Sequence, residues 1–168
     1  MKIQRKIVFI IIVASLFLSP MLFINSKPQQ EESITYTVLE KGNHAAFHDT
    51  APSISVFKGQ NEFEGFYKTM HKSRVPKAEP PSVDFTNSLI LFLSHGEKRT
   101  SGYSIEIRRI YTRGTVLVVK AVLRSPPEDS FTAQVITHPY LLIQIKLNGF
   151  TRVELVGETG EVLDYKNL

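Results

Sequence analysis

The chain has 168 residues, with 20 Lys and Arg against 16 Asp and Glu, a formal charge of +4 and a sequence pI of about 9.3. Three of the bases, Lys2, Arg5 and Lys6, precede a hydrophobic leader, so the remainder is nearly neutral and lacks the clustered basic face that nucleic-acid binding requires. Cysteine is absent, which excludes disulfides, thiolate nucleophiles, thiolate metal sites and thiol-linked lipids, and leaves stability to an apolar core.

Residues 7–24 are apolar apart from Ser15, Ser19 and Pro20, the pattern of a signal peptide or N-terminal membrane anchor over 1–26. Basic residues ahead of this span predict an extracytoplasmic chain after it, secreted or held at the membrane by 7–24 alone. Residues 27–34 read as a polar tether and 35–168 as one β-rich domain. Short strands are predicted at 36–39 and 53–57, flanking a loop over 42–52. Phe63, Phe66, Tyr67 and Met70 fall at i, i+3, i+4 and i+7 and predict an amphipathic helix over 60–73, with Gly65 its weak position. Pro76, Pro80 and Pro81 prevent its continuation.

Strands follow. The apolar run 88–94 predicts a buried strand. The stretch 102–124, around which the rest is organised, reads as a hairpin. Its first arm alternates, with Tyr103, Ile105 and Ile107 on one face; its second is apolar on both faces; Arg113-Gly114 supplies the turn. Further strands are predicted at 140–147, at 152–156 after Asn148-Gly149, and at 161–165 as an edge. The expected fold is α+β but mainly β: a curved antiparallel sheet or small open barrel with one helix packed on one side.

Reactive chemistry is sparse. His44 and His48 have the spacing of two ligands on one helix face, but Gly42-Asn43 before them and Pro52 after place them in a loop, so no metal is expected. The chain has no G-x-S-x-G, no S-x-x-K and no glycine-rich phosphate cradle, and Glu128-Asp129 are adjacent acids of a loop. These absences predict a non-enzyme without cofactor. What stands out is a pair of loops rich in glycine and proline. One carries Arg99, Thr100, Ser101, Gly102 and Tyr103; the other carries Pro126 and Pro127 and ends in His138, Pro139 and Tyr140. Together these ten residues predict a protein-binding rim, with Tyr103 and Tyr140 as amphipathic anchors.

The run Arg99-Thr-Ser-Gly-Tyr-Ser-Ile-Glu-Ile, the hairpin, a proline after it and Thr137-His-Pro-Tyr140 before an apolar alternation resemble the C-terminal domain of the protease complex subunit PrcB family, over about 83–147. Ser101 stands where that family usually has a second glycine. The resemblance implies an exported bacterial accessory protein. The family is named from a lipoprotein subunit associated with a surface serine protease, which implies a protein partner, a secreted or cell-surface protease. Lacking cysteine, this chain cannot carry the lipid, so any membrane attachment falls to 7–24. Thr100-Ser-Gly-Tyr103 is also similar to the T-G-[YF] loop of chagasin-like peptidase inhibitors, an alternative function. A structural envelope or spore-surface protein is a third reading.

Overall fold

A computed structural model of the chain describes residues 31–46 and 49–168. The predicted leader, the first half of the tether and His48 lie outside them. Among the described residues no helix is long and apolar enough to cross a membrane. In chain order the elements are β1 (Glu32–Ser33), β2 (Tyr36–Gly42), β3 (Ser53–Phe57), α1 (Gln60–Met70), β4 (Ser88–Ser94), β5 (Ser104–Arg113), β6 (Val116–Arg124), β7 (Tyr140–Lys146), β8 (Arg152–Val156) and β9 (Val162–Asn167).

Strand β4 is buried along its whole length because both its faces meet apolar partners. Leu89, Leu91 and Leu93 enter one core, and Ile90 and Phe92 enter another on the opposite face. Such a strand belongs inside a sheet. Accordingly β4 lies between β3 and β7 in an antiparallel sheet ordered β2-β7-β4-β3. One face of this sheet packs on a second sheet, ordered β1-β5-β6-β8-β9, through Ile105, Ile110, Leu117, Val119, Val153 and Leu155. Its other face packs on α1, where Phe63, Tyr67 and Met70 are buried against Phe57, Ile90, Phe92 and Leu142. The layers are therefore sheet, sheet, helix.

The prediction of a mainly β fold with one covering helix holds, and the strands among the described residues do not close into a barrel. A single curved antiparallel sheet does not describe it. There are two open sheets among the described residues, and β6 pairs with β8 in parallel. The reason is that the chain crosses between sheets four times, at 34–35, 95–103, 125–139 and 147–151, so neighbours in sequence are often not neighbours in a sheet. The hairpin forms as β5 and β6, with a bulge between Ile107 and Arg109. That extra residue lets Ile107 and Ile110, three apart, both reach the inter-sheet core. Helix α1 stops at Met70 rather than at residue 73, because His71 leaves the helical region at φ −105°, ψ 19°. The tether also ends early: Glu32 and Ser33 pair with Thr112 and Tyr111, supported by an ion pair between Glu31 and Arg109.

Register explains where the loops go. Gly42 and Ser94 both pair with Tyr140, and Ser53 pairs with Ser94, so 43–52, 95–103 and 125–139 all adjoin one end of the helix-bearing sheet. In the other sheet Ser104 pairs with Arg124, so the two crossing loops leave it together as well.

Candidate functional site

The two crossing loops are bonded to each other along their length. Lys98 and Thr137 exchange backbone hydrogen bonds, each 2.8 Å, and the Thr137 hydroxyl donates to the Thr100 carbonyl at 2.9 Å. Ser101 and Ala133 form a second reciprocal pair: the Ser101 N–H donates to the Ala133 carbonyl at 3.0 Å, and the Ala133 N–H donates to Ser101 Oγ at 2.9 Å. A glycine at 101 could make only the first of these. Gly102, at φ +94°, brings its backbone so close to Pro126 that a Cβ there would lie 2.8 Å from the proline Cβ. The 43–52 loop joins them, with Glu97 N–H donating to the Asp49 carbonyl and His138 N–H to the Asn43 carbonyl at 2.7 Å.

The structure thus brings Arg99, Thr100, Ser101, Gly102, Pro126, Pro127 and His138 to one end of the molecule, with Arg99, Gly102 and Pro127 exposed. Tyr103 is half-buried, edge-on to His95 at 5.7 Å between ring centres, with Lys98 over its ring. Burial holds the Lys98 ammonium below its usual value. His95 is itself buried, and burial holds its imidazole below the ordinary histidine value. Pro139 is buried, its carbonyl accepting from the His95 N–H at 2.9 Å.

Tyr140 is not an exposed anchor. It is 3% exposed, stacked on Phe92 in the helix-side core, and its hydroxyl donates to Glu40. The cause is strand parity. Leu141, Ile143 and Ile145 take the inter-sheet face, so Tyr140 and Leu142 must take the other, where the cross-strand Gly42 leaves room for the ring.

That hydroxyl leads to a polar cluster the sequence reading missed. Glu40 accepts hydrogen bonds from Tyr140 at 2.7 Å and Tyr67 at 2.8 Å; His71 Nε2 lies 3.1 Å from both its oxygens, and Arg74 is 3.7 Å away. Burial pushes the Glu40 carboxyl up, but the bonds from Tyr140, Tyr67 and His71 outweigh it and hold the group below its ordinary value. Burial and the Glu40 carboxylate push the Tyr67 phenol up to about 12 and raise Tyr140 as well. Near neutral pH Glu40 is therefore held as the carboxylate, with the two phenols as its neutral donors. It borders an open cleft of about 530 Å³ that Ala45, Met70 and His138 also line. The signal was present: Tyr67, His71 and Arg74, at i, i+4 and i+7, prolong the apolar stripe of the helix with polar groups. Among the described residues no group of three His, Cys, Asp or Glu could hold a metal ion.

The two loops and the strands that carry them form one continuous piece of chain, from β4 to β7. This piece matches the PrcB C-terminal family model, over residues 89–146. The match bears out the resemblance read from Gly102-Tyr103 and Thr137-His-Pro-Tyr140. Within the matched segment lie both crossing loops, the Ser101–Ala133 pair and Tyr140; Glu40, α1 and β8–β9 fall outside it. No curated protein and no solved structure matches the chain.

Proposed function

We propose that this protein is a non-catalytic, extracytoplasmic accessory subunit that binds a protein partner, a secreted or surface protease, through the end of the sandwich where its loops meet. The observation that carries the reading is the bonding of 96–102 to 125–139, which presents exposed Val135 and Ile136 from a constrained backbone. Exposed apolar side chains on a fixed loop are the usual material of a protein interface. The PrcB C-terminal match over 89–146 supports the protease-complex class of partner. The saturated Glu40 cluster supports a binding rather than a catalytic role, since its one carboxylate is already occupied by three side-chain donors.

Crosslinking on intact cells followed by mass spectrometry tests this. The wild-type chain should capture a protease that a variant with Arg99→Glu and Ile136→Glu does not, at equal expression and unchanged circular dichroism. An unchanged set of captured proteins would remove the rim from consideration. Alkaline phosphatase fused after residue 34 should be active, as that enzyme is outside the cytoplasm; an inactive fusion would refute the location.

A further inference from the structure

We propose that Phe131 is the anchor of this interface, seating in an apolar pocket of the partner protein whose edge carries lysine or arginine side chains; the inference rests on the protein-binding reading above. Phe131 is fully exposed. It sits in the connection 125–139, which runs between the two sheets without a strand of its own. Connections of that length are uncommon in compact folds and usually serve a function.

The tip of this connection is held from both sides. Before Phe131, the Ser130 N–H and hydroxyl both donate to the Pro127 carbonyl, at 3.0 Å and 2.7 Å. After it, Ala133 is locked to Ser101 by the reciprocal pair and its carbonyl also accepts from the Val135 N–H at 2.9 Å. Only Phe131 and Thr132 separate the fixed points, so the ring is displayed on a backbone already ordered. Little chain entropy then remains to be lost on association. An aromatic ring with few rotatable bonds, presented this way, is the side chain most often found at the energetic centre of an interface.

Charge selects the partner. Glu128 and Asp129 are exposed, one serine ahead of Phe131, and 125–139 contains no lysine or arginine. Of the facing loop's two cations next to the glycine turn, Lys98 is turned onto the Tyr103 ring and Arg99 is exposed, so the carboxylates at 128 and 129, nearest the ring in sequence, set the charge of the tip. An anionic bilayer surface would repel the acidic tip, and an acidic pocket would do the same. An apolar pocket with cations at its edge satisfies both the ring and the two carboxylates, and the cations would also speed encounter.

The test places a photo-crosslinking benzoylphenylalanine in the full chain at 131, at 99 on the facing loop, or at 148 at the opposite end of the sandwich. The residue at 131 should capture one protein, and the residue at 148 should not. With that protein purified, Phe131→Ala should weaken binding by at least about 30-fold, the size expected of an interface hot spot. Phe131→Tyr should stay within a few-fold, and Glu128→Gln with Asp129→Asn should slow association and flatten its salt dependence. The Phe131 side chain is solvated, so its variants should melt as the wild type does. Capture from 99 but not from 131, or a loss below about threefold in Phe131→Ala, would overturn the anchor and leave the rim standing. Absence of a protein adduct from both 99 and 131 would overturn both, and adducts from 131 to lipid or to a second copy would overturn the proposal.

Discussion

Tyr140 and Gly102 are the residues where the family resemblance and the physics meet. In Thr137-His-Pro-Tyr140 the tyrosine turns inward, and its bond to Glu40 ties the strand entering from one loop to the edge strand beside it. Tyr140→Phe should therefore cost about 1–2 kcal/mol at pH 7, the penalty for leaving a part-buried carboxylate short of a donor. A carboxyl held low in the fold adds stability that is fully present above its unfolded value of about 4.5 and is lost as pH falls through its folded value. The penalty in Tyr140→Phe should accordingly shrink toward pH 3, measured as urea midpoints at the two pH values; an equal penalty at both would show that the hydroxyl acts by packing alone. At Gly102 two costs coincide, the positive φ of +94° and the 2.8 Å approach to Pro126, whereas Gly149 at φ +64° has open space around it. Gly102→Ala should then cost more than the about 1–2 kcal/mol that backbone strain alone sets for Gly149→Ala. Equal losses would mean that the Pro126 loop yields freely.

At the scale of elements, periodicity located the strands but not their partners. The run 88–94 and the alternation of 141, 143 and 145 were legible because buried faces repeat every second residue. Period two says which side chains share a face, and nothing about which sheet receives the strand, so the parallel pairing of β6 with β8 could not be read. The bulge in β5 left a trace in the three-residue step from Ile107 to Ile110. The side on which Tyr140 lies was also open to inspection, since Leu141 and Leu142 are both apolar and only one of them can share its face. The Glu40 cluster was legible only in part: positions 67, 71 and 74 showed a polar extension of the helix stripe, but Glu40 of β2 and Tyr140 of β7 meet them only in the tertiary fold. In α1 the local cost is plain: Gly65 is exposed, with no atom within 4 Å of a Cβ built there. Gly65→Ala should raise the unfolding free energy by about 0.5–1 kcal/mol. No gain in a urea titration would mean that the glycine's conformational freedom is used in the native state.

For the whole molecule the question is what makes two open sheets behave as one body. The shared core of Leu89, Leu91, Ile143, Leu117, Val119 and Leu155 supplies most of the attraction, but it is non-directional and does not fix how the edges meet. One polar contact does. Asp164 of β9 turns inward, and its Oδ2 accepts the N–H of Ile54 in β3 at 2.9 Å, joining the edge of one sheet to the edge of the other. Burial pushes the Asp164 carboxyl up, yet bonds from Ile54, Lys166 and Tyr165 together hold it below its ordinary value. Asp164→Ala would leave the Ile54 N–H without an acceptor in a residue that is fully buried, at a cost of about 1–3 kcal/mol. Asp164→Asn keeps an acceptor oxygen and should recover part of that loss. Because the carboxyl is held low, the cost in Asp164→Ala should be fully present above about pH 3.8 and decline as pH falls below it. Hydrogen exchange provides the sharper reading. If the clamp couples the sheets, amides of β3 and β9 should lose protection together in Asp164→Ala while those of β4 and β7 keep theirs. Loss confined to β9 would mean that the apolar core alone holds the two sheets in register.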